Sequence, residues 1–313
     1  MDGRKILIIG GSGFIGARLL STRNSGCYTA TYLSQPLKGG IRFDIAADRL
    51  ADKFLLRGHG YTHAVLTQGV TQLDQCAHAS QRAERANLTG VKDAIDDLLD
   101  AGVHPIFLSS DAVFNGERGP WTEEDPLCPI LTYGKQKAGV ETYLSRSARP
   151  WTVLRLSKVI SSYASKRNLL SLWLETILQR QTILCATDQL LSPIDVDDVV
   201  RVIDFVVETN SGGLFNTSGS NILTRFELLE TFLAHCPSKV RELAVVQACS
   251  LREVPSIELL PINCSLLNSK LRRVSAISPV SVEQTCRNFF QQFSSRSAAE
   301  RKAIDDARGV ARA

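Results

Sequence analysis

The sequence lacks the residue spacings that mark disulfide-rich proteins and zinc sites. Its eight cysteines lie far apart and include no CxxC pair, and its five histidines form no HExxH motif. Structural and catalytic zinc sites usually draw on such closely spaced ligands. We therefore expect reduced thiols and no metal site, and we interpret the nearest candidate pair, Cys76 and His78, as incidental.

The chain also lacks a long apolar run and a strong charge of one sign. No stretch approaches the ~20 apolar residues that a membrane helix needs, and a strand is expected within a few residues of Met1, where a targeting sequence would lie. The 36 basic and 32 acidic residues leave a net charge of +4. Because nucleic-acid-binding domains are usually strongly basic, we expect neither a nucleic acid nor a membrane as partner, and a cytoplasmic location.

The chain of 313 residues, 44% of them hydrophobic, has the composition of a folded protein and exceeds what one simple core usually holds. Short apolar strands alternate with helical patterns, which predicts an α/β fold with a doubly wound parallel sheet. We expect a sheet domain at residues 1–160, a segment that completes the sheet and forms a smaller lobe at 161–293, and a polar tail at 294–313. The apolar stretch Leu169–Leu178 fits either the core or a dimer face, so a homodimer is possible.

A glycine-rich turn follows the first predicted strand and opens a helix. Gly10, Gly13 and Gly16 form a GxxGxxG pattern, with Phe14 and Ile15 between the last two glycines. Glycines at this spacing permit a tight turn and let the backbone approach a pyrophosphate, while the helix offers unpaired amides. The pattern indicates a dinucleotide-binding Rossmann domain; the alternative is a turn that binds nothing.

The end of the second predicted strand bears on the choice between NADPH and NADH. An acidic residue there usually hydrogen-bonds the adenosine ribose and repels a 2′-phosphate. This chain has residues 33–35 (LSQ) at that point, with Lys38 and Arg42 nearby, so NADPH is favoured and NAD is possible. Asp44, after the third strand, is a candidate adenine contact, with helix capping as the alternative.

Tyr133 and Lys137 lie four residues apart and therefore share one face of a predicted helix. An ammonium beside a phenol favours the phenolate and lowers its pKa, which suits proton transfer at neutral pH. Ser110 follows a predicted strand, at the sheet edge where α/β proteins place ligands, and its hydroxyl is suited to hold a substrate oxygen. The order of glycine turn, serine, tyrosine and lysine is what makes the pattern informative.

Three sequence blocks carry a resemblance to a known family. Residues 108–116 (LSSDAVFNG), 121–126 (WTEEDP) and 133–141 (YGKQKAGVE) are similar to the STDYVFDG, YxExDxP and YGxxKxxGE blocks of the dTDP-4-dehydrorhamnose reductase group. This group belongs to the extended short-chain dehydrogenases/reductases. The resemblance covers residues 5–207, and it implies an enzyme that uses NAD(P)H to reduce a nucleotide-linked 4-keto-6-deoxy sugar for polysaccharide synthesis.

The resemblance also implies roles for individual residues. Tyr133 is expected to donate the proton, Lys137 to anchor the nicotinamide ribose and lower the pKa of the tyrosine, and Ser110 to stand in place of the usual threonine. Contacts to the substrate are implied for four residues: Ser110, Asp111, Ala112 and Asn168. For Asp111 and Asn168, the alternatives are a loop cap and a helix cap.

Two positions depart from the pattern of the group. Ala112 replaces a tyrosine, and Lys158 stands where tryptophan is common, which implies a differently shaped sugar pocket. Two further hypotheses stay open: a protein that binds NADP without turnover, and an epimerase or dehydrogenase that acts on another sugar. A dehydratase is disfavoured, because Asp111 is followed by alanine where a dehydratase has an Asp-Glu pair.

Overall fold

A parallel sheet of seven strands forms the centre of the protein. The computed structural model describes residues 4–22, 27–78, 81–165 and 168–295. The strands in these residues are β1 Lys5–Ile9, β2 Tyr28–Tyr32, β3 Ile41–Arg42, β4 Tyr61–Leu66, β5 His104–Ser110, β6 Thr152–Leu156, β7 Val159–Ile160, β8 Thr182–Ala186, β9 Leu190–Leu191, β10 Ile194–Asp195, β11 Gly213–Thr217, β12 Leu223–Thr224 and β13 Val245–Cys249. The large sheet has the order β3-β2-β1-β4-β5-β6-β11.

Helices follow most strands and cover both faces of this sheet. The helices of the described residues are α1 Phe14–Ser21, α2 Leu50–Lys53, α3 Leu73–Ala77, α4 Gln81–Glu84, α5 Gly90–Asp100, α6 Thr132–Leu144, α7 Leu169–Leu178, α8 Val196–Thr209, α9 Arg225–His235, α10 Ser238–Arg241, α11 Ser269–Ser275 and α12 Val282–Ser295. One apolar core packs α5 and α6 against one face, and a second packs α1 and α8 against the other. The predicted doubly wound parallel sheet is confirmed, with the strand order of a Rossmann fold.

The burial of the central strands explains why they are apolar along their whole length. In β1, Ile6, Leu7 and Ile8 are at most 1% exposed, because helices cover both faces of the sheet. The carboxyl ends of β1, β4, β5 and β6 meet at one edge, since all pairings in this sheet are parallel. The turns that follow these strands therefore lie together, and this edge carries the candidate site.

One long predicted helix is interrupted in the structure. The sequence pattern predicts a helix over residues 80–99, whereas α4 is followed by a π-helical turn, Arg85–Thr89, before α5 begins. The turn directs Asn87 inward, where its side chain bonds both the amide and the carbonyl of Val70. Periodicity cannot reveal one extra residue in a helical turn, and such turns are often found near functional sites.

A smaller lobe packs around its own apolar core. Helices α7, α9 and α12 pack with the two-stranded sheet of β8 and β13, and the Trp173 ring lies 5.8 Å from that of Phe232. Trp173 is therefore a core residue and does not offer a dimer face. The predicted tail at 294–313 lies outside the described residues, apart from the last two residues of α12. Within the part of the chain that the structure describes, no helix is long and apolar enough to cross a membrane.

Candidate active site

The glycine turn between β1 and α1 brings backbone close to backbone. Gly10 has a φ of +93°, and a Cβ there would lie 2.8 Å from the amide nitrogen of Gln68. A Cβ on Gly16 would lie 2.4 Å from the carbonyl oxygen of Gly10, so the helix can pack against the turn only with glycine. Gly13 precedes the helix and leaves its first amides without a side-chain cap. These free amides at a helix start are suited to bind phosphate.

One cavity of about 410 Å³ joins this turn to the predicted catalytic residues. Its wall includes Gly10, Gly13, Phe14 and Ile15 at one side. At the other side it is lined by Ser110, Asp111, Tyr133 and Lys158. The fold therefore brings the glycine turn and the serine and tyrosine hydroxyls to one site, although 94 to 123 residues separate them in the chain.

Ser110, Tyr133 and Lys137 lie close together. Ser110 ends β5, where its hydroxyl donates to Asp111 Oδ1 over 2.8 Å, and the Tyr133 hydroxyl interacts with the same serine. Lys137, one turn along α6 from the tyrosine, donates from Nζ to the carbonyl oxygen of Leu108 over 2.8 Å. Its ammonium lies 5.6 Å from the centroid of the Tyr133 ring.

The electrostatics of the tyrosine differ from the sequence-based expectation. Burial, followed by the nearby Asp111 carboxylate, raises the pKa of Tyr133 above its ordinary value. Burial lowers the pKa of Lys137 to about 8, with the Glu141 carboxylate opposing this shift. The expected lowering of the tyrosine pKa by the lysine is thus outweighed by desolvation. Tyr133 is held as a neutral phenol, which is the form that can donate a proton.

Asp111 and Ala112 follow Ser110 and differ in what they face. Asp111 lines the cavity, and burial raises the pKa of its carboxyl to about 6. Ala112 is buried, and its carbonyl oxygen packs so closely on α6 that a Cβ on Gly134 would lie 1.9 Å from it. Ala112 packs against the tyrosine helix and is not among the residues that line the cavity, so its contact with substrate stays a prediction.

Asn168 is engaged in local hydrogen bonds. Its side-chain oxygen accepts from the amides of Ser161 and Leu170, and its amide group donates to the carbonyls of Ser161 and Tyr163. The side chain is fully buried and caps α7. The helix-cap alternative describes this residue, and a predicted contact with substrate does not fit a side chain whose polar atoms are all used.

Asp44 is likewise engaged away from the cavity. One of its carboxylate oxygens accepts from the amide of Ala46, and the other pairs with Arg82 over 2.8 Å. It is not among the residues that line the cavity, so its predicted adenine contact stays a prediction. Because α2 begins six residues later, Asp44 does not cap that helix. Its role in the structure is to close the turn after β3.

Comparison with known proteins agrees with this geometry. The family model described as the RmlD substrate binding domain matches residues 4–295. The chain belongs to this family. One relative of this RmlD-family chain is the spore coat polysaccharide biosynthesis protein SpsK of Bacillus subtilis, 25% identical over 71% of this chain and 76% of the relative. A dTDP-4-dehydrorhamnose reductase of Sinorhizobium fredii is 27% identical over 69% of this chain and 75% of the relative.

Solved structures show the same fold. A dTDP-4-dehydrorhamnose reductase from Bacillus anthracis, solved in complex with NADP, has a TM-score of 0.78 at 20% identity and covers 92% of this chain and 99% of its own. The MoeE5 protein in complex with UDP-glucuronic acid and NAD has a TM-score of 0.76 at 18% identity, over 92% of this chain and 99% of its own. The RmlD-family chain is thus related to sugar-nucleotide reductases and shares its fold with proteins that bind nicotinamide dinucleotides.

One residue of the site in this RmlD-family protein was not predicted from the sequence. Gln68 follows β4 and lines the cavity next to Gly10, and both polar atoms of its amide are buried without a hydrogen-bond partner among the described residues. The rule that ligands bind at the carboxyl ends of parallel strands would have identified it. A polar ligand that fills the glycine cradle can satisfy this amide, so the residues present fit a dinucleotide.

The two basic residues that were used to favour NADPH from the sequence lie outside the cavity. Lys38 and Arg42 are exposed and do not line the cavity. The cavity does reach Leu33, Ser34 and Gln35, which end the second strand region without an acidic side chain. The case for NADPH therefore rests on the missing carboxylate, and not on a basic residue in contact with the site.

Proposed function

We propose that the protein is an NADPH-dependent reductase of a nucleotide-linked 4-keto sugar, with the 4-keto-6-deoxy sugar of dTDP-4-dehydrorhamnose reductases as the first substrate to test. The observation that carries this proposal is the single cavity that joins the glycine turn to the Ser110 and Tyr133 hydroxyls. Gly10 and Gly13 would hold a dinucleotide in the same cavity as these hydroxyls, which are the groups needed to bind and protonate a ketone oxygen.

The residues of the chain supply the hydrogen-bonding groups and the proton for a ketone reduction. NADPH, when bound, supplies the hydride. The Ser110 hydroxyl orients the ketone oxygen, and Tyr133 transfers its phenolic proton to that oxygen as negative charge develops, so that the ketone becomes an alcohol. The raised pKa of Tyr133 keeps the proton available before the reaction. Lys137, beneath the tyrosine, provides a positive charge that stabilises the phenolate left after transfer.

The shape of the adenosine end supports NADPH over NADH. The wall formed by Leu33, Ser34 and Gln35 holds no carboxylate that would repel a 2′-phosphate. The Ser34 hydroxyl and the Gln35 amide are neutral hydrogen-bonding groups that tolerate the phosphate. We expect NADH to bind more weakly and to be used more slowly.

The test follows the absorbance of NADPH, with NADH in parallel, when the full chain meets a freshly generated dTDP-4-keto-6-deoxy sugar. The wild-type protein is expected to oxidise NADPH, and Tyr133→Phe to lower kcat by about 10²–10⁴-fold, the usual contribution of a positioned acid. Tyr143→Phe is the matched control, because this tyrosine lies on the same helix and bonds Asp96 away from the cavity. Binding of NADPH without turnover would instead favour an NADP-binding regulatory protein.

A further inference from the structure

The Lys158 ammonium lies at the cavity edge of the sheet, and no residue that the structure describes is its partner. Lys158 lies two residues beyond Leu156, which ends β6 and pairs with Ser110 at the end of β5. It lines the same cavity as Ser110 and Tyr133. In residues 4–22, 27–78, 81–165 and 168–295, no side chain or carbonyl forms a hydrogen bond or an ion pair with its Nζ. A half-buried ammonium in this position is costly unless a ligand satisfies it.

The surroundings of Lys158 are positive on balance. Arg225, at the start of α9 in the smaller lobe, uses its Nε to bond Gln189 Oε1 over 2.7 Å and lies close enough to repel the lysine charge. Asp111 opposes this effect, but its carboxylate is already bonded to Ser110. Burial and the Arg225 charge together lower the pKa of Lys158 to about 8. Two cations from two lobes thus face one carboxylate whose own charge is disfavoured by burial.

The chemistry of the substrate decides which group can meet this ammonium. In a nucleotide-linked 4-keto hexose, the diphosphate is attached to C1, across the ring from the ketone, while C5 is bonded directly to C4. When Ser110 and Tyr133 hold the C4 oxygen, the substituents next to the reacting carbonyl are the neutral hydroxyl on C3 and the group on C5. A methyl group there offers no acceptor to a buried ammonium, whereas a carboxylate offers charge-assisted hydrogen bonds.

We propose that Lys158, supported by the positive charge of Arg225, binds a carboxylate carried by the sugar ring next to the reacting carbonyl. The proposal rests on the proposed reductase function and refines it, because it names a nucleotide-linked uronic acid as the substrate class. Lys158 is a specificity-determining residue in this proposal, and the acid is still Tyr133. The tryptophan-to-lysine departure noted in the sequence then reflects a change in the substituent on C5.

The test measures binding to the full chain saturated with NADP⁺, by titration calorimetry, with probes that differ only at C6. The probes are UDP-glucuronic acid and UDP-glucose, together with the dTDP-linked pair, so that the choice of nucleotide does not decide the outcome. The wild-type protein is expected to bind the glucuronate at least about tenfold more tightly than the glucose, the value of one charge-assisted hydrogen bond. Lys158→Met is expected to abolish this preference while changing the affinity for the glucose less than about twofold.

Three further variants separate the effect of a charge at the cavity from the effect of a charge elsewhere on the protein. Lys158→Arg keeps the cation and is expected to retain most of the preference, while Lys158→Gln repeats the loss if the methionine variant does not fold. Lys135→Met, which removes a lysine from the exposed face of α6, is expected to bind both probes as the wild type does.

Two results would overturn the proposal. Equal affinity of the wild-type protein for glucuronate and glucose would show that no carboxylate site exists. Equal weakening of both probes by Lys158→Met would assign the ammonium to the diphosphate. Failure of the proposed reductase function is a separate result. A protein that binds glucuronate more tightly through Lys158 but never oxidises NADPH would have the carboxylate site without the reductase activity.

Discussion

Two histidines stack near the amino ends of β4 and β5, far from the cavity. The rings of His63 and His104 are 5.0 Å apart, and His104 Nε2 lies 2.8 Å from the hydroxyl of Thr152. Burial, followed by repulsion from His104, lowers the pKa of His63 to about 4, and burial lowers that of His104. The folded protein therefore holds both rings neutral at a pH where exposed histidines would begin to take up protons.

This pair predicts a loss of stability in mild acid. Because the folded pKa of His63 lies below the ordinary 6.5, its contribution to stability is complete above pH 6.5 and is lost as the pH falls toward 4. The loss from His63 amounts to at most about 3 kcal/mol at ~1.4 kcal/mol per pKa unit. Urea unfolding at pH 7, 6, 5 and 4.5 measures it, and His63→Leu should show a shallower decline than the wild type. Parallel curves for the two proteins would contradict the assignment.

At the level of single residues, the sequence predicted which side chains form the site better than it predicted the environment of those side chains. Gly10, Ser110 and Tyr133 were predicted from motif and order, and the structure brings them to one cavity. Gln68 was missed because it belongs to no motif, although its place directly after a predicted strand could have identified it; the packing of β4 beside β1 brings it to the glycine turn. The pKa of Tyr133 was predicted in the wrong direction, because burial cannot be judged from a spacing of four residues.

A buried ion pair joins three elements beneath the site. Arg155 on β6 forms a bidentate pair with Glu141 on α6: Nη2 donates to Oε2 over 2.8 Å and Nε to Oε1 over 3.2 Å. Ser109 on β5 donates to Oε1 of the same carboxylate. The two charged side chains are 3% and 5% exposed. This network fixes the helix that carries Tyr133 against the two strands that end at the cavity.

Removing one partner of this pair is expected to be strongly destabilising. Arg155→Met leaves the Glu141 carboxylate buried and unpaired, which should lower the free energy of unfolding by about 3–5 kcal/mol. Arg149→Met, which breaks an exposed pair with Asp100, is the matched control and should change it by less than about 1 kcal/mol. Urea denaturation of both variants makes the comparison. Similar losses in the two proteins would show that the buried network is not what holds α6.

Among the helices and strands, the longer elements could be predicted from the sequence and the shortest could not. The central strands and α7, α8 and α9 show clear periodicity or caps, including the Thr224 and Glu227 pair that forms a capping box at the start of α9. The two-residue strands β7, β9, β10 and β12 have no periodicity to detect, because they form where tertiary packing brings two segments together. The π turn at Arg85–Thr89 was not predicted for a related reason, because it accompanies the tertiary contacts of Asn87, which the sequence pattern does not show.

For the whole molecule, cofactor binding should raise the stability of the folded chain. NADPH at 100 times its dissociation constant is expected to add about 2.7 kcal/mol to the free energy of unfolding. Gly10→Ala should lose this gain, because its Cβ would collide with the backbone of Gln68. Gly102→Ala is the matched control: its φ of +74° imposes a similar backbone penalty, but its Cβ would meet nothing within 4 Å.

Urea unfolding with and without NADPH, applied to both glycine variants, separates the two effects. Both should be less stable than the wild type without ligand, and only Gly102→Ala should respond to NADPH. A full response in Gly10→Ala would place the dinucleotide away from the glycine turn.

Strand β11, the last strand of the large sheet in chain order, limits how chimaeras of this protein and its relatives can be built. The chain leaves the sheet after β6, builds part of the smaller lobe, and returns through α8 to place β11 beside β6 before it enters the lobe again. A chimaera with one crossover after residue 160 would therefore exchange a sheet strand together with the lobe. Transfer of the lobe alone needs at least two inserted segments, on either side of the α8–β11 unit, so the lobe cannot be transplanted as one contiguous block.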